Sequence, residues 1–124
     1  YIDLYWQHFW DKFTPIDETM RALDDLVRAG KVRYIGFSDT PAWKCAEAQT
    51  LAALKGWTPL IALQIEYSLL ERTVEGELVP MAKEMGLGIT PWSPLRGGIP
   101  HRSRRGCRAR GGPCPSCFHL RRCL

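Results

Sequence analysis

The 124-residue sequence predicts an α/β fold in which parallel strands alternate with helices, and two observations carry that expectation. Four short apolar runs, Ile2-Tyr5, Val32-Phe37, Leu60-Leu63 and Leu87-Thr90, each stop close to a polar or aromatic side chain. Their starts fall roughly 27 to 30 residues apart, the length of a strand, a loop, a helix and a return loop. Parallel strands joined by right-handed crossovers bring all their C-terminal ends to one side of the sheet.

The elements follow in order. Ile2-Tyr5 is the first strand and leads to Gln7 and His8. Thr14-Pro15-Ile16-Asp17 opens a helix: Thr14 is a candidate cap, Pro15 suits the first helical position, and Asp17 and Glu18 favour the positive end of the helix dipole. Ile16, Met20, Leu23 and Val27 recur at helical spacing, and Gly30 stands where a left-handed C-cap is wanted. Val32-Phe37 is the next strand, and Thr40-Pro41 repeats the cap-and-proline opening for a helix over about residues 42–54, closed by Gly56. Leu60-Ile65 is nearly continuous in apolar residues, as strands covered on both faces are. A third helix carries Val74, Leu78, Val79, Ala82 and Met85, with a kink expected at Pro80, and Gly86-Thr90 forms the last strand.

Charge divides the chain. Residues 1–96 hold 10 Lys and Arg against 13 Asp and Glu, a net −3, while residues 97–124 hold seven Arg and no acid. Four of the five cysteines also lie in that basic stretch, leaving Cys45 alone in the repeating part. A single scattered cysteine fits a reducing compartment, so a cytoplasmic location is expected. No apolar run approaches the ~18 residues of a membrane span, and no signal-peptide pattern is present. The chain begins at Tyr1, inside a strand, which implies residues upstream.

The repeat gathers His8, Ser38, Asp39, Gln64, Trp92 and Ser93 onto one rim, where parallel α/β folds bind their ligands. No Gly-x-Gly-x-x-Gly follows any strand, which weighs against a Rossmann dinucleotide site, and no Walker loop or zinc-protease helix occurs.

Taken in order, Tyr1-Ile2-Asp3-Leu4-Tyr5 through His8, Thr19-Met20-Arg21-Ala22-Leu23 and Gly30-Lys31-Val32-Arg33-Tyr34-Ile35-Gly36 resemble the aldo-keto reductases. Phe37-Ser38-Asp39, Gln64-Ile65-Glu66-Tyr67-Ser68-Leu69-Leu70 and Pro91-Trp92-Ser93-Pro94-Leu95 extend the resemblance over about residues 1–98. It implies a partial (β/α)8 TIM barrel, roughly strands four to seven, in an oxidoreductase that reduces aldehydes or ketones with NADPH, or with NADH. Of that family's catalytic Tyr, Lys, Asp and His, only the His has a counterpart here, at His8. The other three would belong upstream, and a chain without them is expected to be inactive by itself. Some relatives of this kind serve instead as regulatory subunits of ion channels.

By the same resemblance Ser38, Asp39 and Gln64 bind the cofactor's carboxamide, and Trp92 stacks on the nicotinamide. Ser93, Leu95, Arg96 and Gly98 start the loop along the pyrophosphate, and Trp10 faces the substrate, a small carbonyl compound. Asp39 replaces the family's commoner Asn with an acceptor-only carboxylate. Each residue has a plainer alternative: His8 as a strand-end histidine bonded to backbone, Ser38 and Asp39 as caps of the next helix, Gln64 as a backbone-satisfied strand residue, Trp92 as core filler. Trp6, Trp43 and Trp57 are expected to pack or to line the pocket. Nothing in the pattern selects an oligomeric state.

Residues 99–124 form a separate, basic, Cys- and Arg-rich tail that is expected to be disordered. A one-base frameshift turns codons for Leu-Thr-Gly into codons for Pro-His-Arg, which is what stands at Pro100-His101-Arg102. The tail is therefore expected to be the translation of a shifted frame. The functional alternative is zinc or nucleic-acid binding through Cys114-Pro115-Ser116-Cys117, the other tail Cys and His, and the arginines. Against it stand the absence of a second Cys-x-x-Cys and of a hydrophobic nucleus, so neither metal nor nucleic acid is expected as a partner.

Overall fold

Parallel pairing needs a crossover element after each strand, and the chain supplies one every time. The computed structural model describes residues 1–95, and Arg96, Gly98 and the tail, with the domain boundary expected at residue 98, lie outside them. Strand β1 (Ile2–Gln7) is followed by helix α1 (Ile16–Arg28), β2 (Val32–Ser38), α2 (Ala42–Lys55), β3 (Leu60–Glu66), a 3-10 turn (Thr73–Glu75), α3 (Leu78–Glu84) and β4 (Gly88–Trp92). The sheet order is β1-β2-β3-β4 and every pairing is parallel. Sequential parallel strands with intervening helices are the architecture of a partial (β/α)8 barrel.

Alternation along the strands sorts side chains onto two faces. Ile35, Phe37, Leu63 and Ile65 are buried with Ile16, Met20 and Leu23 of α1 and Cys45, Ala48 and Ala52 of α2 in one apolar core. The small residues Ala42, Cys45, Ala48 and Ala52 form the buried stripe of α2. On the opposite face, the register sets Trp6 beside Gly36, Gly36 beside Ala62, and Ser38 beside Gln64.

Several local expectations are corrected. Neither threonine caps its helix: the N-cap residues are Pro15 and Pro41, without side-chain cap bonds. Thr14 Oγ1 donates to Asp11 Oδ2 at 2.6 Å, and Thr40 Oγ1 donates to the Ser38 carbonyl at 3.1 Å. The residue before a proline is pushed to extended backbone, which displaces each threonine outward from the helix start. The third helix does not run from Val74 with a kink at Pro80; it is divided at Gly76-Glu77. Pro80 then falls in the first turn of α3, where a missing N–H leaves no helix bond unmade. The last strand starts at Gly88 and runs through Pro91 to Trp92.

The apolar run of β3 also departs from uniform burial. Ile35 pairs with Leu60 and Gly36 with Ala62, so Ile61 is skipped and stands 37% exposed. This irregularity behaves as a β-bulge, which leaves one residue unpaired. The α2 side chain of Gln49 serves the disturbed ladder: its Nε2 donates to the Leu60 carbonyl at 3.1 Å and its Oε1 accepts the Leu60 N–H at 2.7 Å.

Candidate functional site

The C-terminal ends of the strands meet in a cleft of about 310 Å3 lined by His8, Phe9, Ser38, Asp39, Gln64 and Trp92. Five of these six were singled out from the sequence. His8 follows β1 directly, Ser38 closes β2, Gln64 lies near the end of β3 in register with Ser38, and Trp92 closes β4. All reach the same end of the sheet, on the face away from the helices.

Two residues turn the chain sharply at this rim. Asp39 (φ 44°) and Ser93 (φ 52°) adopt left-handed backbone immediately after β2 and β4. Aspartate tolerates that region better than most side chains, while serine holds it at greater cost. The Asp39 N–H donates to the Gln64 carbonyl at 3.0 Å, which ties the β2 turn to β3. Trp92 Nε1 donates to Asp39 Oδ1, also at 3.0 Å, and links β4 to β2 across the end of β3.

The plainer alternatives find little support in this geometry. Neither the His8 imidazole nor the Gln64 amide hydrogen-bonds to another described residue, so no backbone group accounts for either. His8 instead meets the Phe9 ring edge-on, at 4.3 Å between centroids. Ser38 and Asp39 do not cap α2, whose N-cap is Pro41. Trp92 is 38% exposed and is no core filler. A half-buried amide whose donor and acceptor are unbonded among the described residues, on a cleft wall, is suited to a planar amide ligand.

Trp10 does not line the cleft; it meets Trp43 of α2 edge-on at 5.5 Å, beside the rim. Trp6 lies over Gly36, and Trp57 packs on the helix-side core. Ser93 and Leu95 stand just beyond β4, with Leu95 exposed, at the start of the segment that leaves the described residues.

Phe9 was missed by the sequence reading, because a single aromatic in a loop has no periodicity to betray it. A neighbouring rim cavity of about 440 Å3 was missed too, lined by Tyr67, Ser68, Leu69, Arg72, Glu75 and Pro94. There the Tyr67 hydroxyl donates to Glu75 Oε1 at 2.6 Å, and Arg72 holds both Glu75 oxygens at 3.0 Å. The Arg72 guanidinium, then the Tyr67 hydroxyl, keep the Glu75 carboxyl below its ordinary range. Among the described residues no cluster of three or more His, Cys, Asp or Glu is placed to hold a metal ion, and no helix is long and apolar enough to cross a membrane.

A sequence profile described as "Aldo/keto reductase family" matches residues 1–110. The chain is 46% identical over 99 residues to the uncharacterized oxidoreductase YrpG of Bacillus subtilis, covering 80% of this chain and 30% of that protein. It is 41% identical over 98 residues to an aryl-alcohol dehydrogenase [NADP(+)] of Phanerodontia chrysosporium, covering 79% and 26%. To a norsolorinic acid reductase of Aspergillus flavus it is 42% identical over 95 residues, covering 77% and 24%. The chain thus spans about a quarter to a third of the curated relatives it matches. It belongs to the aldo/keto reductase family.

Proposed function

We propose that this member of the aldo/keto reductase family forms the nicotinamide-end rim of a cytoplasmic oxidoreductase that reduces a small aldehyde or ketone with NADPH, with NADH as the alternative donor. The supporting observation is the convergence of His8, Ser38, Gln64 and Trp92 on one cleft at the C-terminal ends of β1 to β4. Its 310 Å3 suits one end of a cofactor with a small carbonyl beside it, near the lower limit of the about 300 to 1,000 Å3 usual for ligand pockets. NADPH is preferred because one relative's name carries NADP(+).

A bound reduced nicotinamide supplies the hydride. The chain's own residues orient and polarise. Gln64 offers the carboxamide a donor and an acceptor, and the Ser38 hydroxyl adds a second group that can play either part. Trp92 presents an indole face on which the ring stacks. His8 donates an N–H toward the carbonyl oxygen as negative charge grows there, an interaction stronger in the transition state than in the ground state. Ser93 and Leu95, followed by Arg96 and Gly98, are assigned to the pyrophosphate, and Trp10 to the outer substrate wall.

The test is a titration of the full chain with NADPH, read by the fluorescence of the reduced nicotinamide. A saturable change is expected, weakened at least about tenfold by Gln64→Leu, which removes a polar partner from a buried amide. No saturable change for the chain, or for a longer polypeptide carrying the preceding strands, refutes the proposal. Affinity without turnover of generic aldehydes by that longer polypeptide would select the non-catalytic, channel-subunit alternative.

A further inference from the structure

Asp39 stands where the cofactor cradle calls for a side chain with both a donor and an acceptor, yet its carboxylate can only accept. The structure gives that carboxylate another partner. Oδ1 accepts the Trp92 indole N–H at 3.0 Å, from a residue 53 positions further along the chain. The contact bridges the ends of β2 and β4 across the intervening β3, whose Gln64 carbonyl in turn holds the Asp39 N–H. Both termini of the bridge line the same cleft.

Each end needs the other. Trp92 is the last residue of β4, the outermost strand among the described residues, and is 38% exposed, so the neighbouring described side chains alone leave its χ2 broad. A hydrogen bond to an acceptor oxygen at fixed distance selects one ring plane. The Asp39 backbone, held at φ 44° and bonded to β3, is a rigid base for that acceptor. Gln64, whose amide bonds to no other described residue, already offers the complete donor and acceptor pair that a carboxamide requires. We infer that Asp39 is a positioning residue: it acts on the dinucleotide of the preceding proposal indirectly, by fixing the plane of the Trp92 indole, and does not itself read the carboxamide.

The inference rests on the cofactor reading, and the experiment separates the two. Asp39→Gly removes the carboxylate without straining the positive φ, Asp39→Asn keeps an acceptor oxygen, and Trp92→Phe keeps an aromatic face without the N–H. With 15N-labelled indoles in the full chain, Trp92→Phe identifies the Trp92 N–H resonance. That resonance is expected to move in Asp39→Gly and to stay near its original place in Asp39→Asn. In the NADPH titration, Asp39→Gly is expected to weaken binding about tenfold, Asp39→Asn to remain within about twofold, and the Asp39→Gly/Trp92→Phe double variant to bind no more weakly than Trp92→Phe alone.

An indole resonance blind to Asp39→Gly overturns the inference. So do losses that multiply in the double variant, or an Asp39→Asn chain that binds far more tightly than the original, since either means direct contact with the cofactor. A chain that shows the Asp39-dependent resonance but no dinucleotide affinity overturns the cofactor reading, and the positioning role with it, while keeping the contact.

Discussion

The helix-covered face of the sheet presents Ile35, Phe37, Leu63 and Ile65, none more than 2% exposed, whereas the opposite face presents Tyr34 at 51% and Trp92 at 38% together with the Gln64 amide, which bonds to no other described residue. The strands are the same; only the parity of position differs. One face spends its side chains on burial, where apolar area removed from water is worth about 25 cal/mol per Å2. The other leaves Tyr34 exposed near the strand starts and Gln64 and Trp92 partly exposed at the C-terminal rim, where the proposed cofactor would complete them. Stability and binding are therefore separable by residue parity, and substitutions on the two faces are expected to fail in different assays.

The largest effect belongs to Phe37→Ala. Phe37 is 1% exposed at the centre of the core, and truncating a buried phenylalanine costs about 3 to 5 kcal/mol, a large share of the stability of a small domain. Urea unfolding followed by circular dichroism is expected to show a transition shifted far down or lost. Gln64→Leu, one register position from Leu63 but on the other face, is expected to change the same transition by no more than about 0.5 kcal/mol. If the two variants lose similar stability, the division between faces is wrong.

Next comes Asp24, the charged member of the helix side, at 3% exposure on α1. Its Oδ1 accepts the Thr58 N–H and hydroxyl, both at 2.8 Å, and its Oδ2 accepts Arg28 Nε at 2.5 Å. Burial pushes the carboxyl up, but the Thr58 donors and Arg28 together outweigh it and leave the group below its ordinary 3.8. A carboxyl depressed in the folded state adds stability that is full above the unfolded value and lost as pH falls through the folded one. Asp24→Ala is expected to cost about 3 kcal/mol at neutral pH, by orphaning the Thr58 donors, and to flatten the loss of stability below pH about 4. Urea midpoints at pH 7 and pH 3 for both proteins check it; an unchanged acid slope in the variant would assign the effect to other carboxyls.

How much of this was legible follows from the range of the signal involved. The 27-to-30-residue spacing and the stripe Ile16, Met20, Leu23 and Val27 are local periodicities, and they located all four strands and the core face of α1. The rim residues were legible because a parallel repeat has one C-terminal side, so His8, Ser38, Gln64 and Trp92 had to share it. The failures were of two kinds. Thr14 and Thr40 read as caps because the proline after each suggested a first helical residue, yet the proline itself took the cap position. The Ile61 bulge and the Asp39–Trp92 bond were invisible for a different reason: a continuous apolar run hides a skipped residue, and a bond across 53 residues depends on strand register.

The smallest effect tests a place where the open face is packed as tightly as the covered one. A Cβ added to Gly36 would sit 2.4 Å from Trp6 Cζ3 and 2.8 Å from the Ala62 carbonyl oxygen, both closer than real contacts allow. The indole ring can swing; the carbonyl belongs to the neighbouring strand and cannot. Gly36→Ala is therefore expected to cost about 2 kcal/mol, within the range of overpacking by a methyl group, and Trp6→Ala in the same chain is expected to recover only part of it. Because Gly36 lies two residues before Ser38 on the same strand and face, the strain is transmitted to the cleft as well as to the fold. NADPH affinity is expected to fall alongside the urea midpoint, unlike Phe37→Ala, where whatever fraction remains folded keeps an intact rim. Full recovery of stability by Trp6→Ala would show that the ring, and not the β3 backbone, sets the limit on that face.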